Sequence, residues 1–186
     1  MEKKNLLVGV CGSVGASTLI NYVSVLGVHF RIRIIFTRNA LNFVEPAGFR
    51  TLVDDYYESE FEDMLPLHIT LSEWADYFVL LPASANTISK MAHGIADNLL
   101  TSTLLAYERP VYIAANMNPR MWNNAIFQDQ VKYLQEKGHF FINEGKMAIE
   151  AATGKRIYSE ACMPSFEHLL DVLGAQQKET SQNVSD

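Results

Sequence analysis

The chain has 186 residues, 48% apolar and 19% charged, which suits one domain with a core of its own. A formal charge of -6 gives no broad basic footprint for nucleic acid, and no apolar run reaches the length of a membrane span. Two cysteines, Cys11 and Cys162, make neither a disulfide framework nor a metal-ligand set, so no metal is expected and a reducing, cytoplasmic setting is.

Lys3 and Lys4 ahead of the apolar stretch 6–20 loosely imitate a secretion signal. Gly9, Gly12, Ser13 and Gly15 break that stretch, and a buried strand over 6–10 running into a turn and a helix over 16–26 accounts for the same letters. Further strands are predicted over 31–36, 76–81, 111–114 and 139–142. Helices are predicted around Trp74 and over 88–93, 98–107, 124–137 and 166–173. The strands are apolar throughout rather than alternating, as in a parallel sheet covered on both faces. The fold class is therefore α/β, a doubly wound and mainly parallel sheet with helices on both faces, as one domain over 1–175. Residues 176–186 are polar without apolar spacing and read as a frayed, disordered tail.

In such a sheet, ligands sit beyond the carboxyl ends of the strands. The first of these loops is Gly9-Val10-Cys11-Gly12-Ser13-Val14-Gly15. It misses the dinucleotide spacing G-x-G-x-x-G because position 10 is valine. The second loop carries Thr37, Arg38 and Asn39 where a dinucleotide site needs an acidic residue, and these groups suit a phosphate better than a ribose diol. A helix beginning near Gly15 would add amide donors. A phosphate-bearing cofactor and a plain glycine-rich turn account for these residues equally. The third loop, Pro82-Ala83-Ser84-Ala85-Asn86-Thr87, holds more hydroxyl and amide groups than one helix cap needs, and its alanines let a flat ring approach the backbone. The fourth, Ala115-Asn116-Met117-Asn118-Pro119-Arg120-Met121-Trp122, offers a pocket wall of amides, thioethers and an indole, although each residue singly also suits core or turn. Of the five histidines, His68 stands apart, in a loop ahead of the helix containing Trp74, where an imidazole can exchange a proton near neutral pH. A lone loop histidine is more commonly ordinary surface.

Together these segments resemble the homo-oligomeric flavin-containing cysteine decarboxylases. Residues 82–87 spell that family's PASANT motif, and residues 116–122 match its PxMNxxMW motif except that Ala115 replaces the first proline. His68 falls where the family places its active-site histidine. The resemblance covers residues 6–173 and implies a Rossmann/flavodoxin-like flavoprotein. It further implies a flavin (FMN or FAD) held by Gly12, Ser13, Val14, Thr37, Asn39, Pro82, Ala83, Ser84, Ala85, Asn86, Thr87 and Asn116. It gives His68 and Asn118 catalytic roles, His68 as the acid/base and Asn118 on the substrate carboxylate. Met121, Lys155 and Arg156 join Asn118 as substrate-binding residues, the latter two on a flap over 143–159. The implied assembly is a homo-oligomer, a trimer or a dodecamer of four trimers, in which His68 can serve a neighbour's flavin.

Within the family, Cys162 lacks the following glycine of the Ala-Cys-Gly segment of phosphopantothenoylcysteine decarboxylases. Met163-Pro164 and the helix behind them are similar to the ending of the lantibiotic-type peptidyl-cysteine decarboxylases. That branch implies oxidative decarboxylation of the C-terminal cysteine of a precursor peptide, to an aminoenethiol. Two other readings stay open: phosphopantothenoylcysteine decarboxylase, with a working Cys162, and a non-catalytic flavin-binding subunit. Neither nucleic acid nor membrane is an expected partner.

Overall fold

The computed structural model describes residues 3–58, 66–150 and 153–182, with side chains as far as residue 174. Its centre is a six-stranded parallel sheet of β1 (Lys4–Val10), β2 (Phe30–Phe36), β3 (Asp55–Glu58), β4 (Tyr77–Ala83), β5 (Val111–Ala115) and β6 (Phe140–Phe141). The strand order β3-β2-β1-β4-β5-β6 runs outward in one direction from β1 and then in the other from β4. This is the doubly wound order, with its switch point between β1 and β4.

The inner strands alternate between two cores, as the two-residue period of a strand requires. Leu6, Val8 and Val10 of β1, with Val79 and Leu81 of β4, face a core closed by α1 (Leu19–His29) and α7 (Phe166–Gln182). Leu7 of β1, with Phe78 and Leu80 of β4, faces the other. That second core is closed by α2 (Leu67–Trp74), α3 (Ala85–Ala92), α4 (Leu99–Ala106) and α6 (Ala125–Glu136). Both faces of β1, β4 and β5 are thus buried, and each fully buried Leu, Ile or Phe contributes roughly 1.5–3 kcal/mol.

Four features depart from the sequence reading. An edge strand, β3, appears where none is predicted; its pattern Asp-Tyr-Tyr-Glu is exposed at both ends, as suits an edge. Residues 14–18, predicted in part as helix, form a 3-10 turn that precedes α1. His68 lies in the first turn of α2 rather than in a loop; the helix starts behind Pro66 with no side-chain cap to announce it. The flap region contains an antiparallel hairpin of β7 (Lys146–Ile149) and β8 (Arg156–Ser159), separate from the main sheet. Residues 151 and 152 of that region lie outside the described residues. In the expected tail, α7 runs on to Gln182, and residues 183–186 lie outside the described residues. Residues 6–10, the beginning of the signal-like apolar stretch, are the buried part of β1 in the middle of the sheet. Among the described residues no helix is long and apolar enough to cross a membrane.

Candidate active site

The loops that follow β1, β2, β4 and β5 converge at the switch point, and their backbones are stitched together. Cys11 N–H donates to the Pro82 carbonyl (3.0 Å), Thr37 N–H to Val10 (2.9 Å) and Asn116 N–H to Ala83 (2.9 Å). Between them opens a cleft of about 470 Å³, within the range of small-ligand sites. Gly12, Ser13, Thr37, Asn39, Ser84, Ala85, Asn86, Thr87, Asn116 and Met121 line it. Ten of the expected site residues are therefore brought to one place. Pro82 and Ala83 do not line the cleft; they are buried in the end of β4 beneath it.

Several of these side chains have a structural task as well. Ser84 caps α3 by accepting from Thr87 N–H (3.4 Å). The Thr87 hydroxyl accepts from the thiol of Cys11 (3.2 Å), whose pKa burial pushes up, so this cysteine stays protonated. Gly12 passes so close to the second loop that a Cβ there would stand 2.7 Å from the Asn39 carbonyl carbon, leaving room for glycine alone. The amide of Gly15, expected to be a phosphate donor, instead donates to the side-chain oxygen of Asn116 (3.0 Å). The start of the helix expected near Gly15 is also displaced, since α1 begins only at Leu19.

Arg38, read with Thr37 and Asn39 as suiting a phosphate, lines the cleft as well, and two lining residues were not singled out from sequence: Lys90 and Asn98. Lys90 was within reach, because it follows Asn86 and Thr87 by four and three positions on α3 and so shares their face. It pairs with Asp97 (2.5 Å), and this hydrogen bond holds the Asp97 carboxyl below its ordinary pKa.

A second cavity of about 490 Å³ adjoins the first, with Ser13, Asn116 and Met117 common to both. Its wall includes Val14, Phe43, Ile149 and Ile157, and it takes in Asn118, Glu150 and Cys162. Asn118 caps the short helix α5 (Pro119–Trp122): its Oδ1 accepts from Arg120 N–H (2.9 Å), which fixes the amide so that Nδ2 is left to donate. That Nδ2 donates to Glu150 Oε1 of the hairpin at 2.8 Å. Lys155 and Arg156 are exposed at the start of β8 and line neither cavity. His68, half-buried on α2, lines neither as well.

The first cleft suits a flavin phosphate on the chemistry of its donors. The Ser13 hydroxyl is buried with no hydrogen-bond partner among the described residues, and it lines the cleft with Thr37, Asn39 and the cations Arg38 and Lys90. An orphaned buried hydroxyl costs about 1–3 kcal/mol, which an anionic ligand would restore. Small residues at Ala85 and Gly12 leave the remaining width for a flat ring.

Comparison with known proteins agrees. Over 175 residues the chain is 32% identical to the epidermin decarboxylase of Staphylococcus epidermidis, covering 93% of this chain and 96% of the relative. The solved peptidyl-cysteine decarboxylase complexed with the substrate peptide DSYTC superposes with a TM-score of 0.84 at 31% identity, over 91% of this chain and 98% of that one. A PPC decarboxylase mutant complexed with pantothenoylaminoethenethiol superposes about as well, with a TM-score of 0.83 at 26% identity, over 95% and 100% of the two chains. The family model described as Flavoprotein matches residues 1–176, and the chain belongs to that family.

Proposed function

We propose that the chain is a flavin-dependent decarboxylase acting on the C-terminal cysteine of a precursor peptide, and that it leaves an aminoenethiol in the maturation of a lantibiotic-type peptide. The observation that carries this reading is the position of Asn118. It stands in the apolar cavity beside the polar cleft, its Nδ2 already donating to a carboxylate. A peptide carboxylate on that amide would set the adjoining cysteine near the wall that the two cavities share. FMN is the cofactor this reading takes, since the first loop lacks the dinucleotide spacing and no acidic residue follows β2.

Gly12, Ser13, Thr37, Asn39, Ser84 and Asn86 would hold the flavin, with Arg38 and Lys90 balancing its phosphate. When bound, the flavin supplies a two-electron acceptor for the cysteine side chain. Asn118 orients the carboxylate that departs as carbon dioxide. The apolar wall around it keeps water away, which strengthens that hydrogen bond. Lys155 and Arg156 on the hairpin attract an acidic peptide. His68 exchanges the proton, reaching the cleft of a neighbouring subunit in a homo-oligomer, a trimer or four trimers together. The family resemblance, and the fact that His68 lines neither cavity of its own chain, support that arrangement.

One observation favours a second reading, the decarboxylation of phosphopantothenoylcysteine: Cys162 is buried in the wall of the same cavity as Asn118, its thiol donating to the Ser159 carbonyl (3.4 Å). Mass spectrometry separates the two. The expected result is loss of carbon dioxide and two hydrogens from a short peptide ending in cysteine. Loss of carbon dioxide alone from phosphopantothenoylcysteine, abolished by Cys162→Ser, would replace the peptide reading. Bound flavin with neither product would leave a flavin-binding subunit.

A further inference from the structure

The hairpin carries its own carboxylate to the amide proposed to hold the substrate. Glu150 ends the described part of β7's side of the hairpin, and both of its carboxylate oxygens are engaged: Oε1 accepts from Asn118 Nδ2 (2.8 Å) and Oε2 from the Thr153 hydroxyl (2.6 Å). Its backbone is held equally firmly. Glu150 N–H donates to the Lys155 carbonyl (2.9 Å), and the Glu150 carbonyl accepts from Gly154 N–H (2.8 Å), with Gly154 at φ +68°, where a side chain would strain the turn. The Thr153 and Asn118 hydrogen bonds, with Arg120 and Lys155 nearby, keep the carboxyl below its ordinary pKa and therefore charged at neutral pH. Charge, geometry and donor all match what a peptide's terminal carboxylate would present to Asn118.

We infer that Glu150 is an internal stand-in for the substrate carboxylate, which occupies Asn118 in the peptide-free protein and must leave when the peptide enters. The inference rests on the reading that Asn118 receives the peptide carboxylate. Glu150 thereby sets specificity. A ligand that offers Asn118 a carboxylate but makes no contact with the hairpin must compete with a tethered carboxylate at high local concentration. A peptide that also packs against Ile149 and Ile157 gains enough to displace it. Two carboxylates side by side on one amide repel each other, so entry of the peptide carboxylate drives the Glu150 carboxylate off Asn118.

The test is calorimetric titration of the flavin-loaded protein with a short peptide ending in serine in place of cysteine, so that no turnover intervenes, and with the same peptide as its C-terminal amide. If the closed contact holds in most molecules, Glu150→Ala should bind the acid about five- to tenfold more tightly than the parent, while the amide binds both alike. Glu150→Gln keeps one oxygen to accept from Asn118 and turns its amide N–H to the Thr153 hydroxyl, so the hairpin is retained; it should tighten the acid by a smaller factor and speed hydrogen exchange in residues 146–159. In an Asn118→Ala background the Glu150 substitutions should change nothing. Equal or weaker binding of the acid by both Glu150 variants overturns the inference and leaves the peptide reading intact. Absence of binding by the parent and by every variant overturns the peptide reading and the inference together.

Discussion

Ser13 stands where the two cavities meet, and its buried hydroxyl has no partner among the described residues. Ser13→Ala should fold normally, because nothing in the protein loses a bond, and should hold its flavin about tenfold more weakly, the worth of one hydrogen bond to a charged group. Retention of the yellow colour through gel filtration would check it. His139 gives the molecule a pH dependence at the opposite end of the sheet. Its Nδ1 accepts from Val111 N–H (3.1 Å), which requires a neutral ring, and burial pushes its pKa below the ordinary 6.5. The unfolded chain then binds a proton at a pH where the folded chain does not. This contribution is fully present above about pH 6.5 and declines as pH falls towards the lower folded-state value. Urea midpoints from about pH 7 to 5.5 should fall in the parent and less steeply in His139→Gln. At this scale the sequence was most readable where chemistry clusters in loops. Ser13, Thr37, Asn39, Ser84 and Asn86 all reached one cleft because strand ends dictate where ligands go. Glu150 was not readable, since its meaning depends on Asn118, 32 positions away in the chain.

Among the elements, the junction of the hairpin with the sheet depends on one amide. Asn143 accepts from Ala115 N–H (3.0 Å) through Oδ1, and its Nδ2 donates to the carbonyls of Ala115 (2.5 Å) and Cys162 (2.7 Å). It thus completes the end of β5 and ties down the segment beyond β8. Asn143→Ala should cost about 2–3 kcal/mol, because groups next to the sheet core lose their partners. Thermal unfolding measures that cost, and Asn143→Gln, too long for the same geometry, should not restore it. The inner strands were legible because burial on both faces writes a continuous apolar run. Edge strand β3 and the four-residue strands β7 and β8 were not, since half-exposed strands mix charged and apolar letters without a pattern. Helix α2 was misplaced by its start, as Pro66 supplies no capping side chain.

For the whole molecule, the cavities lie at the switch point while His68 lies on α2, lining neither. If subunits share sites, as proposed, His68→Asn and Asn118→Ala should each retain flavin and lose turnover. Mixed oligomers assembled by co-expression of the two should regain part of it, because some sites then draw both intact residues from different chains. Activity no greater than that of either variant alone would place the reaction within one chain. The doubly wound arrangement itself was legible from the order of strands and helices. The assembly was legible only through family resemblance, since 48% apolar residues suffice for the two cores and say nothing of neighbours.

Ser13, Asn116 and Met117 form a party wall between the polar and the apolar chamber. Whatever a tenant on one side does to that wall, the other side feels, and thermodynamic reciprocity makes the effect equal in both directions. A peptide that binds the flavin-loaded protein more tightly than the flavin-free protein must strengthen flavin binding by the same factor. Flavin dissociation constants with and without a non-reacting peptide should therefore close a thermodynamic cycle with the peptide affinities, and cells short of flavin would lose grip on the peptide as well.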